Sequence, residues 1–289
     1  MIKRIISHLP PRHLDDYIAL CVLYSITGIE PEFIHPQEVT QEMITSKEIA
    51  LIDVGMNYDP GLNNFDHHQS LDLPCSAILV INHFYSAPGL SITKFLHTVD
   101  IMDRFGFEKC MELGLCVPDK LVDKKRKVIL NFSLQKAYRY VIDIIKKDVD
   151  YNTAIELIYQ ELKTHFKKEV EKIEEDLRKE EEKFEEKLKN TRIFTIGDLK
   201  IGVNLDNLSS HSKVFDTLGL DILIEKNAFK SKHTSIVVNT VSEKVDKAHA
   251  FADNLMKNYE IVFVHKTRFI RVVNVDVKQV LQDLLKSSF

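Results

Sequence analysis

The first hundred residues alternate between short apolar runs and segments of helical spacing, and this alternation constrains the fold more than any other feature. Strand-like runs fall at Arg4 to His8, Glu32 to Ile34 and Ile49 to Val54, the last followed by Gly55. Helical spacing runs from Asp16 to Ile26, where Asp16 suits an N-cap, and again at Cys75 to Phe84 and Ile92 to Met102. Strands alternating with helices predict an α/β fold whose parallel sheet carries helices on its faces. Such sheets bind ligands at the carboxyl ends of their strands. His8 and Asp53 fall at two such ends.

The pattern then changes twice. From Leu134 to Leu188 the spacing is almost wholly helical, and the last part is dense in Lys and Glu. Leu162, Phe166, Val170, Ile173, Leu177, Phe184 and Leu188 form one narrow apolar stripe on an otherwise charged surface. A solvated helix joining two domains is the favoured reading. A helical hairpin or coiled-coil contact in a homo-oligomer is the second, though Glu180 interrupts the stripe. Beyond Arg192, Ile193 to Ile196 and Lys200 to Val203 flank Gly197-Asp198 as a small hairpin. Strand-like runs follow at Asp221 to Glu225, Ser235 to Asn239 and Ile261 to Val264, with helical segments at Lys213 to Leu218, Glu243 to Met256 and Val277 to Leu285. The expected organisation is a catalytic parallel-sheet domain at 1–133, a long helical connector at 134–190 and a smaller, substrate-binding α/β domain at 191–289.

Charge narrows the function. The 289-residue chain carries a formal charge of -4, which argues against a broad basic surface for long duplex DNA. A small phosphate-bearing substrate stays compatible, because bound divalent ions reverse the local field. No apolar run is long enough to span a membrane and no secretory leader pattern opens the chain. Cys21, Cys75, Cys110 and Cys116 form no Cys-x-x-Cys pair and read as buried thiols. A cytoplasmic protein is expected.

Candidate chemistry gathers in four segments. The densest is Phe65-Asp66-His67-His68-Gln69. Upstream lie His8, His13 and Asp15, and Asp53 closes a strand-like run. Downstream lie Asp100 and Asp103, the latter followed by Arg104, Phe105 and Gly106. Imidazoles with carboxylates and no thiolate suit Mn, Co, Fe or Zn better than Ca. A carboxylate such as Asp53 can bridge two ions, which together activate water and hold phosphoryl oxygens. Any one of these residues alone reads equally well as a cap, a turn residue or a buried hydrogen-bonded histidine.

The set resembles the DHH phosphoesterase superfamily, which includes RecJ-type exonucleases, nanoRNases and family II inorganic pyrophosphatases. It is more closely similar to the melanocyte-proliferating-gene exonuclease family of metal-dependent hydrolases. The residues that carry the resemblance are Ser7-His8 through His13, Asp15 and Asp16, then Asp53-Val54-Gly55, Tyr58-Asp59-Pro60, Phe65 to Gln69, Ser76-Ala77, Asp100, Asp103, and Phe263-Val264-His265-Lys266 with Phe269-Ile270. The resemblance implies a DHH-type N-terminal domain in which His8 and His13 hold one metal ion, with Asp53 bridging. It implies that Asp15, His67 and Asp103 complete a second, that His68 faces the scissile phosphate and that Asp66 orients the neighbouring histidine. Two Mn2+ ions are the implied cofactors, with Mg2+, Co2+ or Zn2+ as substitutes. Asp100 competes with Asp103 for its role; the aromatic and glycine after Asp103 favour the latter.

The implied activity is metal-dependent hydrolysis of short nucleic acids, as a 3′-5′ RNA exonuclease or oligoribonuclease, by in-line attack of water. Two alternatives stay open: a small-molecule phosphohydrolase (a pyrophosphatase or cyclic dinucleotide phosphodiesterase) and a weakly active metal-binding scaffold. The chain departs from the family where substrate would lie. Leu9-Pro10-Pro11-Arg12 replaces a stretch containing glycine and an aromatic, Met56 replaces a glycine, and Ser70-Leu71-Asp72 replaces an Arg-Ser-Phe-like stretch. Proline removes amide donors; Arg12 either replaces them as a substrate contact or is simply exposed. His265, Lys266 and Arg268 form a second cationic group suited to phosphate, or a solvated basic turn. His211, between two serines, reads as an exposed loop residue.

Overall fold

The structure is a computed structural model that describes residues 1–10, 12–85, 93–208, 211–227, 230, 232–264 and 270–287. The chain divides into two compact units, Met1–Leu177 and Arg178–Phe289.

In the first unit, β1 (Arg4–His8), β2 (Glu32–Ile34), β3 (Ile49–Ile52), β4 (Tyr58–Asp59) and β5 (Asn64–Phe65) form one sheet in the order β2-β1-β3-β5-β4. The first four of that order are parallel; β4 joins antiparallel to β5. β3 is buried on both faces, as its unbroken Ile-Ala-Leu-Ile run requires of a central parallel strand. The helices are α1 (Leu14–Thr27), α2 (Gln41–Thr45), α3 (Ser76–Phe84), α4 (Lys94–Phe105), α5 (Phe107–Glu112), α6 (Lys120–Leu130), α7 (Leu134–Ile145), α8 (Tyr151–His165) and α9 (Lys167–Lys189). Tyr17, Ile18, Leu20 and Leu23 of α1 are buried in the same cluster as Ile5, Ala50 and Ile52 of the strands. Gly28 ends α1 in the left-handed conformation at φ 68°, where its amide donates to the Tyr24 carbonyl.

The N-terminal βαβα expectation matches the observed elements, with three corrections. Helix α1 begins at Leu14 with His13 at its N-cap, so Asp16 is no cap but a buried residue of the first turn. Residues 134–177 are not a free connector. Ala137, Val141, Ile155, Ile158, Leu162 and Val170 are buried in the first unit's core. The apolar stripe is likewise shared out: Val170, Ile173 and Leu177 belong to that core, whereas Phe184 and Leu188 belong to a cluster of the second unit. No continuous seam is left for a coiled coil.

The second unit has one sheet of β6 (Arg192–Ile196), β7 (Leu199–Asn204), β8 (Ile222–Lys226), β9 (Thr234–Val238), β10 (Ile261–Val264) and β11 (Ile270–Val273), in the order β10-β11-β9-β8-β7-β6. Only β7 and β8 pair in parallel; the other neighbours are antiparallel. With α10 (His211–Leu218), α11 (Val245–Met256) and α12 (Val277–Ser287) it makes the second α/β layer structure that the sequence suggests. Strand β11 and helices α5 and α6 lie outside the segments read from spacing. No helix among the described residues is long and apolar enough to cross a membrane.

Candidate metal centre

Four chain segments meet at the carboxyl edge of the first sheet. His8 ends β1, and Asp53 follows the last residue of β3. His13, Asp15 and Asp16 lie at the start of α1, His67 and His68 follow β5, and Asp103 lies in the last turn of α4. Parallel pairing of β1 with β3 and of β3 with β5 brings these ends side by side. Asp53 sits in the left-handed region at φ 55°, and its carboxylate accepts from the buried Ser76 hydroxyl at 3.0 Å. A non-glycine residue held there stores backbone strain, the kind of cost that recurs at functional sites. Met56 also has a positive φ of 53°.

His8 Nε2 lies 3.2 Å from Asp16 and 3.4 Å from Asp53, and its Nδ1 lies 2.7 Å from the Leu9 carbonyl. His67 Nε2 lies 2.9 Å from Asp103 and 3.4 Å from Asp53. His13 Nδ1 lies 3.8 Å from Asp103. Three overlapping groups follow: His8, His13 and Asp53; Asp53, His67 and His68; His13, Asp15 and Asp103. In each, one ligand atom per residue lies within 4.8 Å of the others. Asp53 and His13 each serve two groups.

Electrostatics show what such a cluster requires. Asp15 and Asp16 are fully buried; neither Asp15 oxygen has a hydrogen-bond partner among the described residues, and Asp16 faces the His8 ring at 3.2 Å. Burial, then Asp53, Asp103 and Asp16, raises the Asp15 carboxyl well above the usual range. Burial also raises Asp16, against the pull of His8. Asp16 and then Asp53 raise His8 to about 11. Burial opposes charge on His67, yet Asp103 and Asp53 outweigh it and raise the imidazole to about 10. Burial likewise opposes ionisation of Asp53, and His67 and His8 reverse that and hold its carboxyl well below the ordinary range. Without another cation, protons must occupy the places where imidazole nitrogens face carboxylates. Unpaired buried carboxylates are costly unless they are paired or coordinate metal. The donor set therefore fits divalent ions, and His8 with Nδ1 donating to a backbone carbonyl has the orientation typical of a metal-ligating imidazole.

Asp66 is not among the three groups. Its carboxylate accepts from the Met56 amide at 2.6 Å and the His68 amide at 2.9 Å, and it lies 2.7 Å from His68 Nδ1. It thereby fixes the His68 ring, whose side chain is 48% exposed, and it raises the imidazole pKa despite partial burial. Asp100 is spoken for: Arg104 and the Cys75 amide donate to it, so it is Asp103 that faces His13 and His67. Asp16 and Ser76 stand among the motifs that carry the resemblance, but sequence reasoning assigns neither a place in the cluster, because their spacing is that of ordinary helix starts. Arg12 is part-buried, with its guanidinium carbon 4.4 Å from the Phe33 ring centroid. His265, Lys266 and Arg268 lie outside the described residues. His211 is no exposed loop residue: it opens α10, with Nε2 2.8 Å from the buried Glu225.

Among solved structures the chain resembles a pGpG-specific phosphodiesterase, PggH, from Vibrio cholerae, with a TM-score of 0.52 and 15% identity over 99% of this chain and 98% of that one. A second similar chain is an uncharacterized protein from Helicobacter pylori G27, with a TM-score of 0.29 and 13% identity over 97% and 98% of the two chains. No protein-family profile matches the sequence. No curated protein sequence matches it either. At this identity the first likeness concerns the fold, which the two chains share over nearly their full length.

Proposed function

We propose that the chain is a divalent-metal-dependent phosphodiesterase of the DHH type that hydrolyses short nucleic acids, with linear dinucleotides as the primary substrate class. The observation that carries this reading is the convergence of three overlapping imidazole–carboxylate groups on Asp53 and His13, with the Asp15 carboxylate lacking any hydrogen-bond partner among the described residues. His8, His13, Asp15, Asp53, His67 and Asp103 would hold two ions, Mn2+ by preference. When bound, these ions supply an activated water and neutralise charge on the phosphoryl oxygens.

The chain's own residues do the positioning. Ser76 fixes Asp53 through a hydrogen bond to its carboxylate. Asp66 holds His68 through Nδ1, which leaves Nε2 to meet a phosphoryl or departing oxygen. Asp66 also favours the protonated ring, and a protonated ring is a hydrogen-bond donor. The fold shared with a protein titled a pGpG-specific phosphodiesterase supports a dinucleotide over pyrophosphate. Exonuclease action on longer RNA, with contacts from His265, Lys266 and Arg268, extends the same proposal.

The test is a substrate panel of pGpG, 5′-labelled short RNAs, a cyclic dinucleotide and pyrophosphate, each with Mn2+ and with chelator. Metal-dependent cleavage of pGpG is expected. Turnover of pyrophosphate alone would refute the reading. Fewer than one bound ion per chain after Mn2+ loading, with no hydrolysis, would favour a scaffold.

A further inference from the structure

Among the described residues, Arg12 is a cation beside this site that the proposed metal ligands do not use. Arg12 adjoins His13, yet no carboxylate among the described residues pairs with its guanidinium, although Asp15, Asp16, Asp53 and Asp103 crowd the neighbouring centre. Its Nε is buried without a hydrogen-bond partner. The group is held in place by the face of Phe33. Arginine keeps its charge at any physiological pH, stacks readily on aromatic rings and presents a planar fork of donors to phosphate. A stacked, charged and unpaired fork calls for an acceptor from outside the chain.

Register fixes where that acceptor would lie. Phe33 belongs to β2 and pairs with Ser7, while His8 pairs with Ile34. β1 separates β2 from β3, so Phe33 belongs to the strand beyond His8, on the side away from Asp53. Neighbouring strands are about 4.8 Å apart. The ring of His13, next to Arg12 in the chain, lies 5.7 Å from that of His8, so a phosphodiester held at His8 and Asp53 would have the Arg12 segment beside it. Pro10 and Pro11 offer no amide donors in that loop, so the guanidinium supplies what the backbone lacks.

We infer that Arg12 is a specificity residue that binds a second phosphate of the substrate, one that is not cleaved. The inference deepens the phosphodiesterase reading and rests on it for the reaction, but its binding arm stands apart from turnover. The second phosphate is either a terminal monoester or the next internal diester, and three substrates separate these sources: GpG has neither, pGpG has the first, and GpGpG has the second.

Steady-state kinetics of the wild-type chain, Arg12→Ala and Arg12→Lys are measured on all three. Arg12→Ala is expected to raise KM by about 10–100-fold on substrates with the second phosphate and to leave GpG unchanged, with kcat little altered. Arg12→Lys should recover part of the loss as a point charge. An equal effect on GpG would show that Arg12 only supports His13, and no effect on any substrate would remove it from binding. Independently, the metal-free chain is titrated calorimetrically with 5′-GMP and with guanosine. The wild type should prefer 5′-GMP by about 10-fold and Arg12→Ala should lose that preference. A preference that survives in Arg12→Ala, or none in the wild type, overturns the inference whatever the turnover. Preference without turnover of any dinucleotide sinks the hydrolase reading and leaves Arg12 as an anion contact.

Discussion

Replacing Asp15 by Asn should stabilise the metal-free protein while it impairs metal binding. Asp15 is fully buried, lacks any hydrogen-bond partner among the described residues and faces Asp16, Asp53 and Asp103, with only His67 opposing them. Its carboxyl is raised well above the ordinary value, first by burial and then by its acidic neighbours. An unfolded chain ionises it above about pH 3.9. A buried carboxyl left without a partner costs about 1–3 kcal/mol. Asn has nearly the same volume and no charge. Asp15→Asn should therefore gain about 1–3 kcal/mol, or roughly 2–12 °C in Tm for a unit of this size. The sign follows from linkage. A raised folded-state pKa makes Asp15 harmless below the unfolded value and increasingly costly as pH rises towards the folded one. The mutant's advantage should therefore vanish near pH 4 and grow by up to about 1.4 kcal/mol per unit above it. Mn2+ at about 1,000 times its Kd should reverse the order, since it adds about 4.1 kcal/mol to the wild type alone. The assay is thermal denaturation of both chains in chelator and in Mn2+, from pH 4 to 8. An Asp15→Asn chain no more stable than the wild type in chelator at pH 7, or an advantage independent of pH, would refute the reasoning.

Three further outcomes are expected. Asp53→Ala should lower kcat on pGpG by more than about 1,000-fold with an unchanged circular dichroism spectrum, because two of the three groups lose their common member; full activity would dismiss the site. Asp66→Asn should lower activity by about 10–100-fold without loss of bound metal, since it releases His68 but no proposed ligand, and metal analysis alongside kinetics separates the two effects. In the second unit, burial opposes ionisation of Asp221, but the Ser242 hydroxyl, the Lys200 amide and Lys244 hold its carboxyl below the ordinary value. Its stabilisation should be present above about pH 4 and be lost as pH falls through the depressed value, so Asp221→Ala should cost about 1–3 kcal/mol at pH 7 and less in acid, as read by denaturant unfolding.

The sequence by itself determined the repeating strand–helix order, the residue types of the centre and the segments they come from. A period of two or of 3.6 is a local property, so β1, β3, α3 and the hairpin of β6 and β7 could be found from spacing alone. His8 and Asp53 were legible because a polar residue at the end of an apolar strand of a parallel sheet lies where ligands bind. Tertiary structure decided what depends on partners. Asp16 looks like a cap in sequence, and only the crossing of α1 over the sheet buries it against His8. The residues after Asp103 only favoured it over Asp100; in the fold Arg104 and the Cys75 amide claim Asp100 and leave Asp103 to the histidines. The stripe from Leu162 to Leu188 resembles a seam between chains, yet two separate cores of one chain bury it. The physical reason is the same in each case. A side chain's spacing fixes which face of its element it occupies, while its burial, pairing and charge state are set by residues distant in sequence that the fold brings beside it.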